Sequence, residues 1–189
     1  MPTAAPTRPG TREAILVRAI DLASAEGLEG LTIGRLAAEM EMSKSGLFRH
    51  FGSKEELQLA TVDAASERYI EEVVAPALEA PEGEERLRAL CERYFEHLER
   101  SVFDGGCFWA ASAAEFDDRP GPVRDRIREA TGAWLALLAR EAERAGAEDP
   151  EQLAFELHSL ALGANLASRL LEDPDAFVRA RAAMERLLP

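Results

Sequence analysis

The sequence predicts an all-α protein of about nine helices, and three observations carry that prediction. Ala, Leu, Glu and Arg, all strong helix formers, dominate the chain. β-branched residues are sparse, and no run alternates apolar with polar residues as a half-buried strand does. Apolar residues recur instead at three- and four-residue spacing, between recognisable helix start and stop signals.

The first helix is expected over Thr11–Glu26, where Ile15, Ala19, Leu22 and Ala23 form one apolar face and Gly27 supplies a left-handed end. Thr32 is placed to cap a short helix from Ile33 to Met40, with Leu36 and Ala37 inward. Ser43 caps a third from Lys44 to Phe51, with Leu47 and Phe51 inward. Ser53-Lys54-Glu55-Glu56 matches a capping box: the Ser53 hydroxyl takes the Glu56 amide proton while Glu56 reaches back. A long fourth helix follows to Val74 or Ala80, with Pro76 near its end. Beyond Pro81 five more are expected. One spans Glu84–Ser101 and one, after the turn at Asp104-Gly105-Gly106, spans Phe108–Phe116. The proline-rich break at Asp118 to Pro122 starts the next, to Ala145. Asp149 as N-cap, Pro150 at the first helical position and Gln152 two residues on start another, to Glu172. Asp173-Pro174 starts the last.

A chain of 189 residues can bury one large core, or a small domain joined to a larger one. Its formal net charge of −13 argues against a general affinity for nucleic acid or anionic lipid. The charge is uneven. Residues 1–54 hold seven Lys or Arg against six acids, which leaves 15 basic and 29 acidic residues of the totals of 22 and 35 to the remainder. Two cysteines, Cys91 and Cys107, without C-x-x-C spacing, read as reduced, packed thiols of a cytoplasmic protein. The N-terminal ten residues have no apolar signal core and read as a short disordered arm. The longest apolar runs, such as residues 133–139, are too short to span a bilayer, so no membrane partner is expected.

Within this acidic chain, Met42 to Lys54 contains no Asp or Glu but holds Lys44, Arg49, His50 and Lys54. Three helices of about 16, 8 and 8 residues, with a tight turn before the third, outline a helix-turn-helix. In that motif the third helix enters the DNA major groove. The short Ser43, Ser45 and Gly46 allow close approach to base edges, and Lys44 and Arg49 supply donors for guanine or phosphate. Helix N-termini at Thr32, Ser43 and Ser53 offer amide groups to phosphate. The reading divides the chain into an arm (1–10), a helix-turn-helix DNA-binding domain (11–54) and a larger helical domain (55–189).

These residues also resemble a known family, the TetR-type transcriptional regulators. The likeness lies in Leu31-Thr32-Ile33, Leu36-Ala37, Met42-Ser43-Lys44, Leu47-Phe48-Arg49-His50-Phe51 and Ser53-Lys54-Glu55-Glu56-Leu57. It implies that Lys44 and Ser45 meet bases, that Thr32, Ser43, Phe48, His50 and Lys54 meet phosphates, and that Arg49 does either. Phe48 stands where the family usually has Tyr, and Glu41 where it usually has a turn glycine. The resemblance further implies a larger domain that binds an unknown small-molecule effector and dimerises. Trp109, Ser112, Trp134 and Asn165 are the candidate pocket residues. Leu162, Gly163, Leu166, Ala167, Phe177 and Met184 are candidate contacts of a homodimeric four-helix bundle, which would read double-stranded DNA with an inverted-repeat operator.

Phe103, Phe108, Trp109, Phe116 and Trp134 otherwise read as core. His97 and His158 read as surface or hydrogen-bonded histidines. Tyr94 and Phe155 stand three residues before them, so no Glu-x-x-His metal motif is present, and no metal, cofactor or catalytic residue is expected. Two alternatives remain: a helical ligand-binding dimer without DNA binding, and a helical-bundle enzyme.

Overall fold

The computed structural model describes residues 11–100 and 106–189. The N-terminal arm, Phe103 and the Asp104-Gly105 part of the expected turn lie outside the described residues. Among those described there is no strand, and the helices are α1 (Thr11–Glu26), α2 (Ile33–Glu39), α3 (Lys44–Phe51), α4 (Lys54–Tyr69), α5 (Ala75–Ala77), α6 (Glu84–Glu99), α7 (Phe108–Phe116), α8 (Pro122–Arg144), α9 (Pro150–Leu170) and α10 (Ala176–Leu187). A π-helical stretch, Ile70–Val74, joins α4 to α5 without a break. Counting that run as one rod gives nine among the described residues.

The caps form where short polar side chains precede apolar runs. The oxygens of Thr32, Ser43, Ser53 and Asp149 accept from the amides of Arg35, Gly46, Glu56 and Gln152 at 3.0–3.1 Å. Each such cap stabilises its helix by about 1 kcal/mol. The reciprocal half of the Ser53 capping box is not formed. Gly52, with φ of 70°, folds the chain so tightly that the Ser53 amide donates to the Phe51 carbonyl at 2.7 Å instead. The last helix begins at Ala176 rather than Asp173, because Asp173 Oδ1 first closes a turn on the Asp175 amide at 3.0 Å.

The turn between α2 and α3 is a Schellman end. The Met42 amide donates to Ala37 and the Glu41 amide to Ala38, with Glu41 in the left-handed region at φ 53°. A non-glycine residue there costs about 1–2 kcal/mol. Glycine relieves this, minus the larger entropy it adds to the unfolded chain. Glu41→Gly is therefore expected to raise the thermal midpoint by about 1–4 °C; an unchanged or lower midpoint in a calorimetric melt would show that the turn is not strained.

Two apolar cores result. One joins α6, α8, α9 and α10 with Tyr69, Val73 and Ala77 of the α4–α5 run. The other fills the three-helix head with Ile15, Leu36, Leu47 and Phe51, and continues through Leu57 and Val62 of α4 to Phe108 and Phe116 of α7 and Val123 and Ile127 of α8. The head's core therefore runs past residue 54 into helices far along the chain. A buried carboxylate orients the other end of the body. Glu141 accepts from the Gly83 amide at the start of α6 (3.1 Å) and from Arg144 (2.7 Å). Burial opposes its charge, but the Gly83 amide and the guanidinium groups of Arg144 and Arg86 outweigh that penalty and hold it below the usual carboxylate range.

Candidate DNA interface and ligand cavity

Leu47 and Phe51, four residues apart, turn one face of α3 inward. Lys44, Ser45, Phe48 and Arg49 consequently fall on the outer arc, with Ser43 at its N-terminus, and all five are exposed. His50 is also exposed, its ring 6.2 Å from that of Phe51. Phe48 presents 56% of its surface to solvent, an uncompensated apolar ring beside two cations.

Ion pairing sorts the head's cations. Arg18 is paired with Glu39 and Asp21. Arg35 makes a two-pronged contact with Glu26 (2.6 and 3.0 Å) and a third with Glu39 (2.9 Å). Lys54 donates to Glu29 at 2.6 Å. That ion pair engages one of the three donor protons of Lys54, a candidate phosphate contact, with a carboxylate of the α1–α2 loop. Thr32 Oγ1 is likewise occupied as a cap acceptor. Arg12 lies over the Phe51 ring at 5.4 Å. Lys44 and Arg49 have no carboxylate partner among the described residues, so the local positive field projects from α3.

Glu29 also ties the head to the body. Its carboxylate takes Lys54, Gln58 and Arg119, and its amide donates to Glu115 of α7 at 3.1 Å.

The body holds a half-open cavity of about 270 Å³. Tyr69 with the π-stretch, Tyr94 of α6, Trp109 of α7, Thr131 and Trp134 of α8 and His158 of α9 stand in its wall. Trp109 and Trp134, two of the candidate pocket residues, stand in that wall. Ser112 is buried one turn beyond Trp109 but is not in the wall. Asn165 is only half-buried and also outside it, since it sits two turns, or roughly 10 Å, along α9 from His158. Tyr69, Tyr94 and His158 are wall residues that the sequence reading missed. The signal was there: the chain has two tyrosines, and a buried tyrosine hydroxyl calls for a partner.

His97 and His158 are not exposed. His97 is buried, with Nδ1 3.3 Å from Glu72. His158 is half-buried and stacked on Tyr94 with centroids 6.0 Å apart. Burial lowers both pKa values, the neighbouring Glu72 opposing it at His97. No group of three or more potential metal ligands occurs among the described residues. Burial raises both thiols, Cys91 to about 12, which leaves little reactive thiolate at neutral pH. No helix among the described residues is long and apolar enough to cross a membrane.

The outer face of α9 and α10 exposes Phe155, Leu162, Leu166, Leu170 and Val178. Gly163 and Ala167 line a shallow groove between the two helices. Phe177 and Met184 do not belong to this face. They are 5% and 0% exposed, packed into the chain's own core, because Ala176, Phe177, Ala180 and Met184 form the inward stripe of α10.

A three-helix head with Lys44 and Arg49 on the outer face of its third helix, joined through a continuous helix to a larger helical body with a half-open cavity, is a build shared with DNA-binding regulators. The chain belongs to the tetR family of bacterial regulatory proteins. Residues 15–61 match that family's DNA-binding region, described as bacterial regulatory proteins of the tetR family, and residues 83–184 match the tetracyclin repressor-like C-terminal domain. It is 37% identical over 139 residues to the HTH-type transcriptional regulator TcmR of Streptomyces glaucescens. That match covers 68% of this chain and 59% of the relative, so the chain spans about three fifths of the relative's length. A TetR transcriptional regulator from Chloroflexus aurantiacus superposes with a TM-score of 0.83 at 26% identity, over 93% of this chain and 92% of that one. AibR, solved in complex with isovaleryl coenzyme A and operator DNA, superposes at 0.75 and 23% identity, over 94% and 98% of the two chains, a likeness of fold.

Proposed function

We propose that this protein is a cytoplasmic, homodimeric repressor that binds an inverted-repeat operator through α3 and is released when a small molecule fills the body cavity. The observation that carries the reading is the outer face of α3, where Lys44 and Arg49 stand without carboxylate partners among the described residues, in a chain of net charge −13. Lys44 and Ser45 would meet base edges, and Ser43, Phe48, His50 and Arg49 the flanking backbone. Phe48 would pack on sugar and phosphate where no hydroxyl is available to donate. Thr32 would contribute through its helix terminus, and Lys54 with the donor protons that Glu29 leaves.

The exposed stripe of Leu162 and Leu166, with Gly163 and Ala167 beside it, is the surface offered for dimerisation. Two reading helices would then occupy successive major grooves, about 34 Å apart. The continuous α4–π–α5 run connects the two functions, since Leu57 lies in the head's core and Tyr69 in the cavity wall. In this reading the chain is not an enzyme and needs no cofactor.

Selection of bound duplexes from random DNA is expected to enrich one palindromic sequence. A stable dimer that enriches none would establish the alternative, a helical ligand-binding dimer without DNA binding.

A further inference from the structure

We propose that Gln58 of α4 and Glu115 of α7 are positioning residues: they clamp one peptide group of the α1–α2 loop from opposite sides, fix the angle of the three-helix head on the body, and so set the half-site spacing of the operator. This rests on the operator reading above, and it adds the residues that orient the head.

The clamped group is the peptide between Leu28 and Glu29. Its carbonyl accepts from Gln58 Nε2 at 2.8 Å, and its amide donates to Glu115 Oε2 at 3.1 Å. A trans peptide is planar, with its C=O and N–H pointing in opposite directions. Two hydrogen bonds on one rigid plane, from two different helices, therefore fix its tilt as well as its place. Both partners are built for the contact. Gln58 is a buried polar side chain whose amide is spent on this loop. Gly27 opens the other side: its φ is 87°, and a Cβ there would lie 2.7 Å from Glu115 Oε1.

The loop stands where a small tilt is amplified. Thr32, three residues on, caps α2, and the tight turn at Glu41 joins α2 to α3. A rotation of the clamped peptide is thus carried to the reading helix. The apolar core shared by head and body holds them together, but apolar burial has no direction, whereas a hydrogen bond weakens steeply as its angle is lost. The two clamping helices also carry Tyr69 and Trp109 of the cavity wall, so a shift of one helix against the other turns the peptide.

Adding or removing one base pair between half-sites rotates them by roughly 35°, and both heads must then reorient. Anisotropy titrations of the full chain use duplexes with the selected spacing, one base pair more, one fewer, or a single half-site. The wild type is expected to lose about a hundredfold at either altered spacing; Glu115→Ala and Gln58→Leu should lose only about tenfold, because no clamp remains to be broken in either head. Single half-site affinity should stay within about twofold, since neither residue lies on α3. Glu115→Gln keeps an acceptor oxygen of the same reach and should restore most of the preference. Glu115 is only half-buried, so its variants test the clamp even if Gln58→Leu does not fold. A Glu115→Ala protein that melts lower yet keeps the wild-type spacing preference, or that loses affinity equally on every duplex, would overturn the inference. A wild-type protein that selects no palindrome would instead sink the operator reading on which it rests.

Discussion

Lys44→Ala with Arg49→Ala is expected to lower operator affinity more than a thousandfold while the protein stays folded and its oligomeric state unchanged. Both side chains lie on the outer arc of α3, opposite the buried Leu47 and Phe51. Neither holds an ion pair among the described residues. Removing them strands no carboxylate, and alanine is the better helix former, so the stability change should stay within about 0.5 kcal/mol. A bidentate guanine contact contributes about 1–3 kcal/mol and a phosphate contact somewhat less. Two such residues in each of two heads sum to well over 4 kcal/mol, and every 1.4 kcal/mol is tenfold. The salt dependence should also flatten, by about one unit of slope for each phosphate no longer neutralised. Anisotropy titrations at three salt concentrations, with size-exclusion chromatography alongside, measure both. Lys54→Ala is the informative contrast. It removes one of three partners of Glu29 at the head–body junction, so it should lower the melting temperature slightly and operator affinity less than the double variant does. A double variant that binds like the wild type would remove α3 as the reading element.

The head was legible because its instructions are local. Thr32, Ser43 and Ser53 announce each helix within four residues, and the acid-free window needs no tertiary knowledge to be seen. The left-handed Glu41 was signalled only by the resemblance, which puts a turn glycine at that position. The cavity was only half legible. Its wall gathers Tyr69, Tyr94, Trp109, Trp134 and His158 from well-separated stretches, and a buried aromatic residue looks the same in sequence whether it faces a void or another side chain. The π-stretch at Ile70–Val74 shifts the hydrogen-bond register by one residue and leaves no compositional mark. Phe177 and Met184 were misplaced for a related reason. An amphipathic helix shows which face is apolar, but the same periodicity serves the chain's own core and a partner's. Asn165 drew attention as a polar residue on an apolar helix, and half-exposure satisfies it without any ligand.

Connections between head and cavity run along two helices. α4 carries Leu57 in the head's core and Tyr69 in the cavity wall. α7 does the same with adjacent residues. Phe108 is buried in the head's core and Trp109 faces the cavity, their rings edge to face at 5.4 Å and 89°. The hydrogen bond from the Glu29 amide to Glu115 fixes the α1–α2 loop against that same helix. A ligand that moved Trp109 would therefore meet a packed neighbour, rather than solvent, between it and the three-helix head.

Phe108→Ala is accordingly expected to cost about 3–5 kcal/mol, and to damage the head although the residue belongs to the C-terminal body. The ring is 0% exposed and packs within the cluster built by Ile15, Leu36, Leu47 and Phe51. Truncation removes its transfer free energy and leaves a cavity that close-packed helices fill only in part. Against a total stability of about 5–15 kcal/mol this is a large fraction, and the melting temperature should fall by on the order of 10 °C. Phe108→Leu, which keeps most of the volume, should cost less than half as much. Hydrogen exchange locates the effect: amides of α1 to α3 should lose protection together with those of α7. A fragment of residues 1–54 should stay unfolded for the same reason, since it lacks Leu57, Val62, Phe108, Phe116 and Ile127 of that core. A loss of protection confined to α7, or a cooperative melt from the isolated fragment, would show that the head folds on its own and that α7 merely leans on it.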